Sequence, residues 1–164
     1  MSGDEFVSVY LAGAPRGQSR ARSAGKGGHF VSVPKTVRRK GGRYAPNPVW
    51  YYREAVRREC RRALLEGAQP FTGAVEVRLQ LWFPCGRYTD RIGQPHTPKP
   101  DGDNVLKLWQ DAAELMGLLP EGDARVARNL TEKLWARDGG ALFMIRPFQA
   151  TPGPWPVDDD ESLE

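Results

Sequence analysis

Apolar and polar residues alternate along parts of the chain with the period of a β-strand. The clearest case is residues 75–83, where Val, Leu and Phe alternate with Glu, Arg, Gln and Trp, and Phe6–Leu11 shows a shorter version. We predict strands at both places. Val126–Trp135 and Ala141–Phe148 are two further predicted strands, and the Asp-Gly-Gly turn between them predicts a closing hairpin.

Elsewhere apolar residues recur at steps of three and four, which is the spacing of a helix. One helix should begin at Asn47-Pro48, with Asn as the cap and Pro at the first helical position, and should end before Gly67. Its opposite face is rich in arginine. Solvent alone could accommodate that face, but so many unpaired charges favour contact with phosphate. A second helix should run from about Asp103 to Met116.

The predicted order of strand, loop, helix, strand, helix and two strands indicates an α+β fold. We expect a single domain with a mixed sheet of about four to five strands and two main helices packed on it. Residues 16–43 are rich in Gly, Ser, Arg and Lys and predict a loop, interrupted by a short strand at His29–Val33. We assign residues 1–150 to the domain and the acidic, Pro- and Gly-containing residues 151–164 to a disordered tail.

Charge is distributed unevenly along the chain. The net charge is +4 and the sequence pI about 9.3, yet fourteen Lys and Arg residues lie between Arg16 and Arg62, against only Glu54 and Glu59. Residues 158–164, in contrast, carry five acids and no base. A basic front half is the electrostatic footprint expected for nucleic acid, although a merely solvated basic surface would have the same composition.

The cysteine and histidine content excludes several kinds of site. Cys60 and Cys85 are the only cysteines, and their wide separation predicts reduced thiols in a cytoplasmic protein rather than a disulfide scaffold. Together with two scattered histidines, His29 and His96, they cannot form a thiolate metal centre or a histidine-based nuclease site. The sequence has no signal-peptide core and no long apolar run, so we expect no membrane partner.

An acidic motif contrasts with this basic background. It begins with Asp101 before the second predicted helix and ends with Glu121 and Asp123 beyond it. Within the helix, acids and one lysine recur at steps of four and three and therefore share one face: Asp103, Lys107, Asp111 and Glu114. Carboxylates repel the phosphates that basic residues attract, and a bound divalent cation would resolve that conflict. Such an ion could activate water, while Lys107 could stabilise negative charge on phosphorus. These parts suit hydrolysis of a phosphodiester.

Two other interpretations fit the same residues. Asp at a helix N-terminus is favoured by capping and by the helix dipole, and Asp103 with Lys107 could be an ordinary ion pair. The protein would then be a non-catalytic, basic DNA-junction-binding protein. A transferase that holds a nucleotide-sugar diphosphate through Asp-x-Asp is the second alternative, and the short chain and the basic front half disfavour it.

Several motifs resemble the RusA family of Holliday junction resolvases. Near the N-terminus, Pro15–Arg20 and Arg43–Pro46 are similar to the family's P-K-G-R-P-R and Y-T-P segments. The likeness extends from about Phe6 to Phe148. The central motifs that carry it are Asp101-Gly102-Asp103-Asn104 with Lys107, Asp111-Ala112, Glu121-Gly122-Asp123 before Val126, and Glu132-Lys133.

The resemblance implies a RusA-like fold and a metal-dependent, homodimeric endodeoxyribonuclease that resolves four-way DNA junctions by paired symmetric nicks. Transferred by position, Asp101, Asp103 and Asp123 would be the catalytic carboxylates that bind Mg²⁺ or Mn²⁺. Lys107 would be the catalytic lysine, and Asp111 an accessory acid. The residues expected to bind branched DNA are Arg16, Arg20, Arg22, Lys35, Arg38, Arg39, Lys40 and Arg43.

The chain departs from the family pattern at the acidic turn. Gly122 replaces one acid of the usual pair, and Arg125 replaces a glutamine. We align the essential acid with Asp123. If that acid belongs at position 122 instead, the site is short of one ligand, and Glu121 becomes the accessory acid that would replace it.

Overall fold

The computed structural model of the chain describes residues 6–17 and 34–150. Within these ranges the strands are β1 (Val7–Ala12), β2 (Thr36–Arg38), β3 (Tyr44–Pro46), β4 (Val75–Pro84), β5 (Val126–Ala136) and β6 (Gly140–Pro147). The helices are α1 (Pro48–Leu65) and α2 (Gly102–Met116), and 3-10 turns lie at Thr89–Arg91 and Gly122–Arg125. The α+β architecture, both predicted helices and the four longer strands are therefore confirmed.

The four longer strands form one mixed sheet in the order β1-β6-β4-β5. The predicted hairpin of β5 and β6 is wrong, because β4 lies between them, parallel to β5 and antiparallel to β6. The Asp-Gly-Gly turn does reverse the chain, but a turn determines the direction of two strands and not their adjacency. Gly13 N donates to Gly139 O at 3.0 Å, and this hydrogen bond ties the turn to the end of β1.

A buried carboxylate links three strands at one end of this sheet. Glu76 on β4 is only 4% exposed, although its place in the alternating pattern indicates the polar side of the strand. Arg128 on β5 donates to one carboxylate oxygen at 2.9 Å, and Arg146 on β6 donates to the other at 2.7 and 3.0 Å. Because both oxygens accept hydrogen bonds from guanidinium groups, the cost of burying this charge is offset. The same bonds link β4 to β5 on one side and to β6 on the other.

The core lies between the sheet and the two helices. Leu79 and Leu81 of β4 are almost completely buried. Trp109 of α2 is fully buried, lies 5.3 Å from Phe143 between ring centroids, and donates its indole N–H to the Tyr52 hydroxyl at 3.2 Å. Both cysteines are free, as the sequence predicts, and both are buried. In the described part of the chain, no helix has the length and apolar character needed to span a bilayer.

Part of the predicted loop is in fact a small second sheet. Strands β2 and β3 pair antiparallel, with Val37 opposite Ala45. The turn between them contains Gly41 and Gly42, both at positive φ, which lets the chain reverse within a few residues. This hairpin was not predicted because its strands are short and mostly polar, so they show no recognisable alternation. The predicted strand at His29–Val33 and the tail at 151–164 lie outside the described residues.

The arginine face of α1 differs from its prediction. The helix begins as expected, with Asn47 Oδ1 accepting from Val49 N at 3.1 Å and Pro48 in the first turn. Its arginines, however, form ion pairs with acids of the same helix and its end: Arg57 with Glu54 at 2.7 Å, Arg62 with Glu59 at 2.8 Å, and Arg62 with Glu66 at 3.5 Å. Arg53 and Arg58 are also paired, so the expectation of unpaired charges is wrong for four of the five arginines, although the helix keeps a positive excess.

Candidate active site

The acidic motif lies where the first turn of α2 crosses the edge strand β5. Three polar β5 residues, Asn129, Thr131 and Lys133, are in register with the core-facing residues of β4. Gly102 at the start of α2 packs directly on this strand, and a Cβ added there would come within 2.9 Å of Thr131 Cγ2. Further along, Gln110 Nε2 donates to Asn129 Oδ1 at 2.9 Å. The helix is thus fixed to a polar strip of β5.

Lys107 is the centre of the charged cluster. Its Nζ lies 2.6 Å from Asp123 Oδ2 and 2.9 Å from Asp111 Oδ1. Asp111 is one turn further along α2, whereas Asp123 comes from the 3-10 turn beyond the helix. The tertiary structure therefore brings Asp123 back to the helix face, a convergence that sequence spacing alone did not establish.

The ion pairs shift the ionisation of this cluster. Partial burial opposes charge on Lys107, but hydrogen bonds to Asp123 and Asp111 outweigh it and raise the pKa of the ammonium group. The hydrogen bond from Lys107 lowers the pKa of Asp123, against a smaller opposing effect of burial. Lys107 is consequently cationic, and Asp123 anionic, at neutral pH.

Asp101 and Asp103 lie at the beginning of α2. Asp101 is the N-cap residue, but its side chain makes no capping bond to the helix backbone. Instead its Oδ2 accepts from Asn104 Nδ2 at 3.4 Å, while Asp103 Oδ1 accepts from Asn104 N at 2.9 Å. Both carboxylates are exposed. Simple helix capping therefore does not account for Asp101.

The three predicted metal ligands are all exposed carboxylates, the donor type that suits a hard divalent cation. Their arrangement is not that of a ready-made metal cage. Within residues 6–17 and 34–150, no three His, Cys, Asp or Glu side chains are grouped closely enough to hold a metal ion. One reason is visible in the contacts: Asp123 is engaged by the ammonium group of Lys107.

The acidic turn after α2 has an unexpected neighbour. Gly122 adopts φ +55°, and a Cβ placed on it would overlap the Glu114 carboxylate. Position 122, where the sequence comparison with the RusA pattern led us to expect an acid, thus has a carboxylate beside it, supplied by Glu114 of α2. Glu121 points elsewhere and pairs with Arg125, and the hydrogen bond from Arg125 lowers the pKa of this exposed carboxyl group.

The predicted DNA-binding residues occupy two described regions. Arg16 is exposed, and the adjoining Gly17 lies against the acidic motif, since an added Cβ would come within 2.8 Å of Pro100 Cβ. The other described members lie on or beside the hairpin of β2 and β3 and are all exposed: Lys35, Arg38, Arg39, Lys40 and Arg43. Arg20 and Arg22 lie outside the described residues.

Two neighbours of the acidic motif were missed from the sequence. Gly17 and Lys133 were noted only as parts of family-like segments, not as site residues. A signal for Lys133 existed, because Asn129, Thr131 and Lys133 are polar at alternate positions of β5, which places three polar side chains on one face of the strand. The contact of Gly17 had no such signal.

A comparison with protein-family profiles identifies the family of the chain. The family profile described as Endodeoxyribonuclease RusA matches residues 13–146, which is most of the chain. The chain belongs to the RusA endodeoxyribonuclease family. RusA enzymes are Holliday junction endonucleases that act on branched DNA, and they are generally dependent on divalent metal ions. A search of curated proteins returned no match.

We predict that Gly122→Ala disturbs the acidic turn in two ways. An alanine at positive φ costs about 1 kcal/mol of unfolding free energy, and its methyl group would displace the Glu114 carboxylate. Gly93→Ala is the matched control, because Gly93 has φ +83° and open space around it. In chemical unfolding both variants should lose similar stability, whereas only Gly122→Ala should lower DNA nicking. Equal nicking by the two variants would show that the position of the Glu114 carboxylate beside Gly122 does not affect activity.

We also predict that Lys107 controls the ionisation of Asp123. A carboxyl group with a lowered pKa keeps its ion pair above the ordinary Asp pKa and loses it as the pH falls through the lowered value. In Lys107→Met, the pKa of Asp123 should therefore rise towards its usual range. Side-chain carboxyl ¹³C NMR titration measures this directly, with Lys99→Met as the control for loss of one positive charge. An unchanged Asp123 titration would refute the assignment.

Proposed function

We propose that this RusA-family protein is a divalent-metal-dependent Holliday junction resolvase that hydrolyses phosphodiesters in paired, symmetric nicks. The observation that carries the proposal is the 2.6 Å hydrogen bond between Lys107 Nζ and Asp123 Oδ2. It joins the helical and the turn portions of the acidic motif, which are 16 residues apart in sequence. A structural ion pair alone would not require the further acids that surround it.

In this proposal Asp101, Asp103 and Asp123 hold Mg²⁺ or Mn²⁺, with Asp111 as an accessory acid. Glu121, which is paired with Arg125, would become an accessory acid only if the essential acid belongs at position 122. A divalent cation at such a site supplies Lewis acidity and neutralises charge on the phosphodiester. The attacking group is water. Because the three proposed ligands are exposed, side-chain rotation is the motion that would bring their oxygens together.

Lys107 has a separate role in the proposal. An ammonium group has three donors, and two of them are used by Asp111 and Asp123. The third can donate to a non-bridging phosphate oxygen, where negative charge develops during hydrolysis. The raised pKa of Lys107 keeps this donor charged at neutral pH. The acids thus orient Lys107 as well as bind the metal.

Junction binding is assigned to Arg16 and the basic hairpin. The hairpin cations are exposed, and no described ion pair neutralises them, unlike Arg57 and Arg62 of α1. Exposed cations bind phosphate with release of counterions, so affinity should fall steeply with salt. Because one chain supplies one acidic motif and symmetric resolution needs two cuts, we propose a C₂ homodimer as the active form.

The nuclease proposal predicts paired nicks in a labelled synthetic four-way junction, and none in a matching linear duplex, when Mg²⁺ is present. EDTA should abolish the nicks, and Asp103→Asn should slow them by at least about 100-fold. Asp138→Asn is the matched control, because this acid lies in the turn after β5 and outside the motif. Light scattering on the same preparation measures the molar mass in solution and so tests whether the protein is a dimer.

Tight junction binding without nicking, in either Mg²⁺ or Mn²⁺, would contradict the proposal. That outcome would support the alternative of a junction-binding protein without catalysis. Nicking that survives in Asp103→Asn would instead remove Asp103 from the site while leaving the activity in place.

The basic hairpin predicts a specific salt dependence. Arg38→Ala and Lys40→Ala should each weaken junction binding and reduce the slope of log affinity against log salt by about 1, the value for one phosphate contact. Arg62→Ala serves as control, since Arg62 is paired with Glu59 and Glu66 on α1 and should leave the slope unchanged. Fluorescence anisotropy with a labelled junction measures all three. Equal slopes in all variants would exclude the hairpin from the DNA interface.

A further inference from the structure

The segment that leads into Asp101 is held by a lysine on the neighbouring strand. Residues 95–100 contain three prolines, which have no backbone N–H and leave the segment with few donors for hydrogen bonds. Its carbonyl oxygens are therefore the main groups by which the backbone can be anchored. Lys133 Nζ donates to Pro98 O and to Pro100 O, each at 2.8 Å. The second of these carbonyls adjoins Asp101.

Lys133 also contacts the chain on the other side of Asp101. A Cβ added at Gly102 would lie 3.4 Å from Lys133 Cδ, so the aliphatic part of the lysine forms the floor under the first residue of α2. The ammonium group thus holds the backbone before Asp101, and the methylene groups support the backbone after it.

Lys133 is itself held from several directions. Its carbonyl oxygen accepts from His96 N at 2.9 Å, and its Nζ lies 5.8 Å from the centre of the Phe83 ring. The His96 ring is buried, stacks on Phe83 at 3.8 Å and meets the edge of Trp135 at 4.3 Å. These contacts restrict the conformation of the Lys133 side chain. The segment before Asp101 is therefore held in a defined position relative to β5.

We propose that Lys133 is a positioning residue for the nuclease site, which sets the backbone on both sides of Asp101 and thereby the approach of Asp101 and Asp103 to Lys107. The inference rests on the proposed function. Lys133 touches neither Lys107 nor Asp123 in any described hydrogen bond, and it takes no part in bond breaking. Small displacements of reacting groups are costly in enzymes, so such a residue can control rate without contacting substrate.

The test uses three variants of the full chain. Lys133→Met keeps the stem that supports Gly102 but removes the donors to Pro98 and Pro100. Lys133→Arg keeps donors and charge. Lys99→Met, in the same segment and exposed, removes one positive charge without touching the two carbonyl bonds, and it is the matched control.

Two measurements are made on each variant. Amide hydrogen exchange in the absence of DNA is read at Val105, whose N–H donates to Asp101 O at 3.3 Å, and it should become about tenfold faster in Lys133→Met. Single-turnover nicking at saturating protein should fall by about 100-fold in the same variant, while junction affinity stays within about twofold of the Lys99→Met value. Lys133→Arg should recover most of both effects, and Lys99→Met should show neither.

Unchanged exchange in Lys133→Met, or nicking at the wild-type rate, would overturn the proposal. Loss of cooperative unfolding in Lys133→Met would also overturn it, because Lys133 would then be required for the fold as a whole. The exchange measurement needs no activity, so the two proposals can fail separately. Faster exchange in a protein whose wild type does not nick junctions would refute the proposed function and leave the anchoring role of Lys133 intact.

Discussion

The candidate site depends on one close contact, that of the first turn of α2 with the edge strand β5. Because β4 and β5 run parallel, the chain must cross back between them, and α2 makes that crossing. Gly102 permits the helix to lie directly on Thr131 and Lys133, where a side chain would collide. The hydrogen bond between Gln110 and Asn129 fixes the helix further along. The acids of α2 are thereby held at the edge of the sheet, exposed to solvent and beyond the apolar core.

Charge pairing divides the molecule into regions with different chemistry. Most arginines of α1 form ion pairs with the two glutamates of the same helix, and the buried Glu76 is paired with two arginines from neighbouring strands. These pairs hold structure together. The hairpin of β2 and β3 keeps exposed cations, and the cluster around Lys107 keeps more acids than bases. An overall charge of +4 therefore conceals a basic hairpin, an acidic site and a basic helix whose arginines are mostly engaged in ion pairs.

The features predicted correctly are those that depend on local pattern. Asn47-Pro48 determines where α1 begins because capping involves only neighbouring residues. The alternation in β4 and the spacing of Lys107 and Asp111 are equally local. The hairpin of β2 and β3 was missed because strands of three residues have almost no periodicity, and the pairing of β5 with β6 was wrong because adjacency in a sheet is not encoded in the turn.

The sequence by itself determined the two helices, the four longer strands, the acidic motif and the RusA family, since each rests on residue types at short or fixed spacings. Only the tertiary structure decided that Asp123 meets Lys107, that Glu114 lies beside Gly122, and that Lys133 anchors the segment before Asp101. Each of these contacts joins residues from separate elements. Their proximity follows from how a helix crosses a sheet and packs on it, a global property that no local spacing specifies.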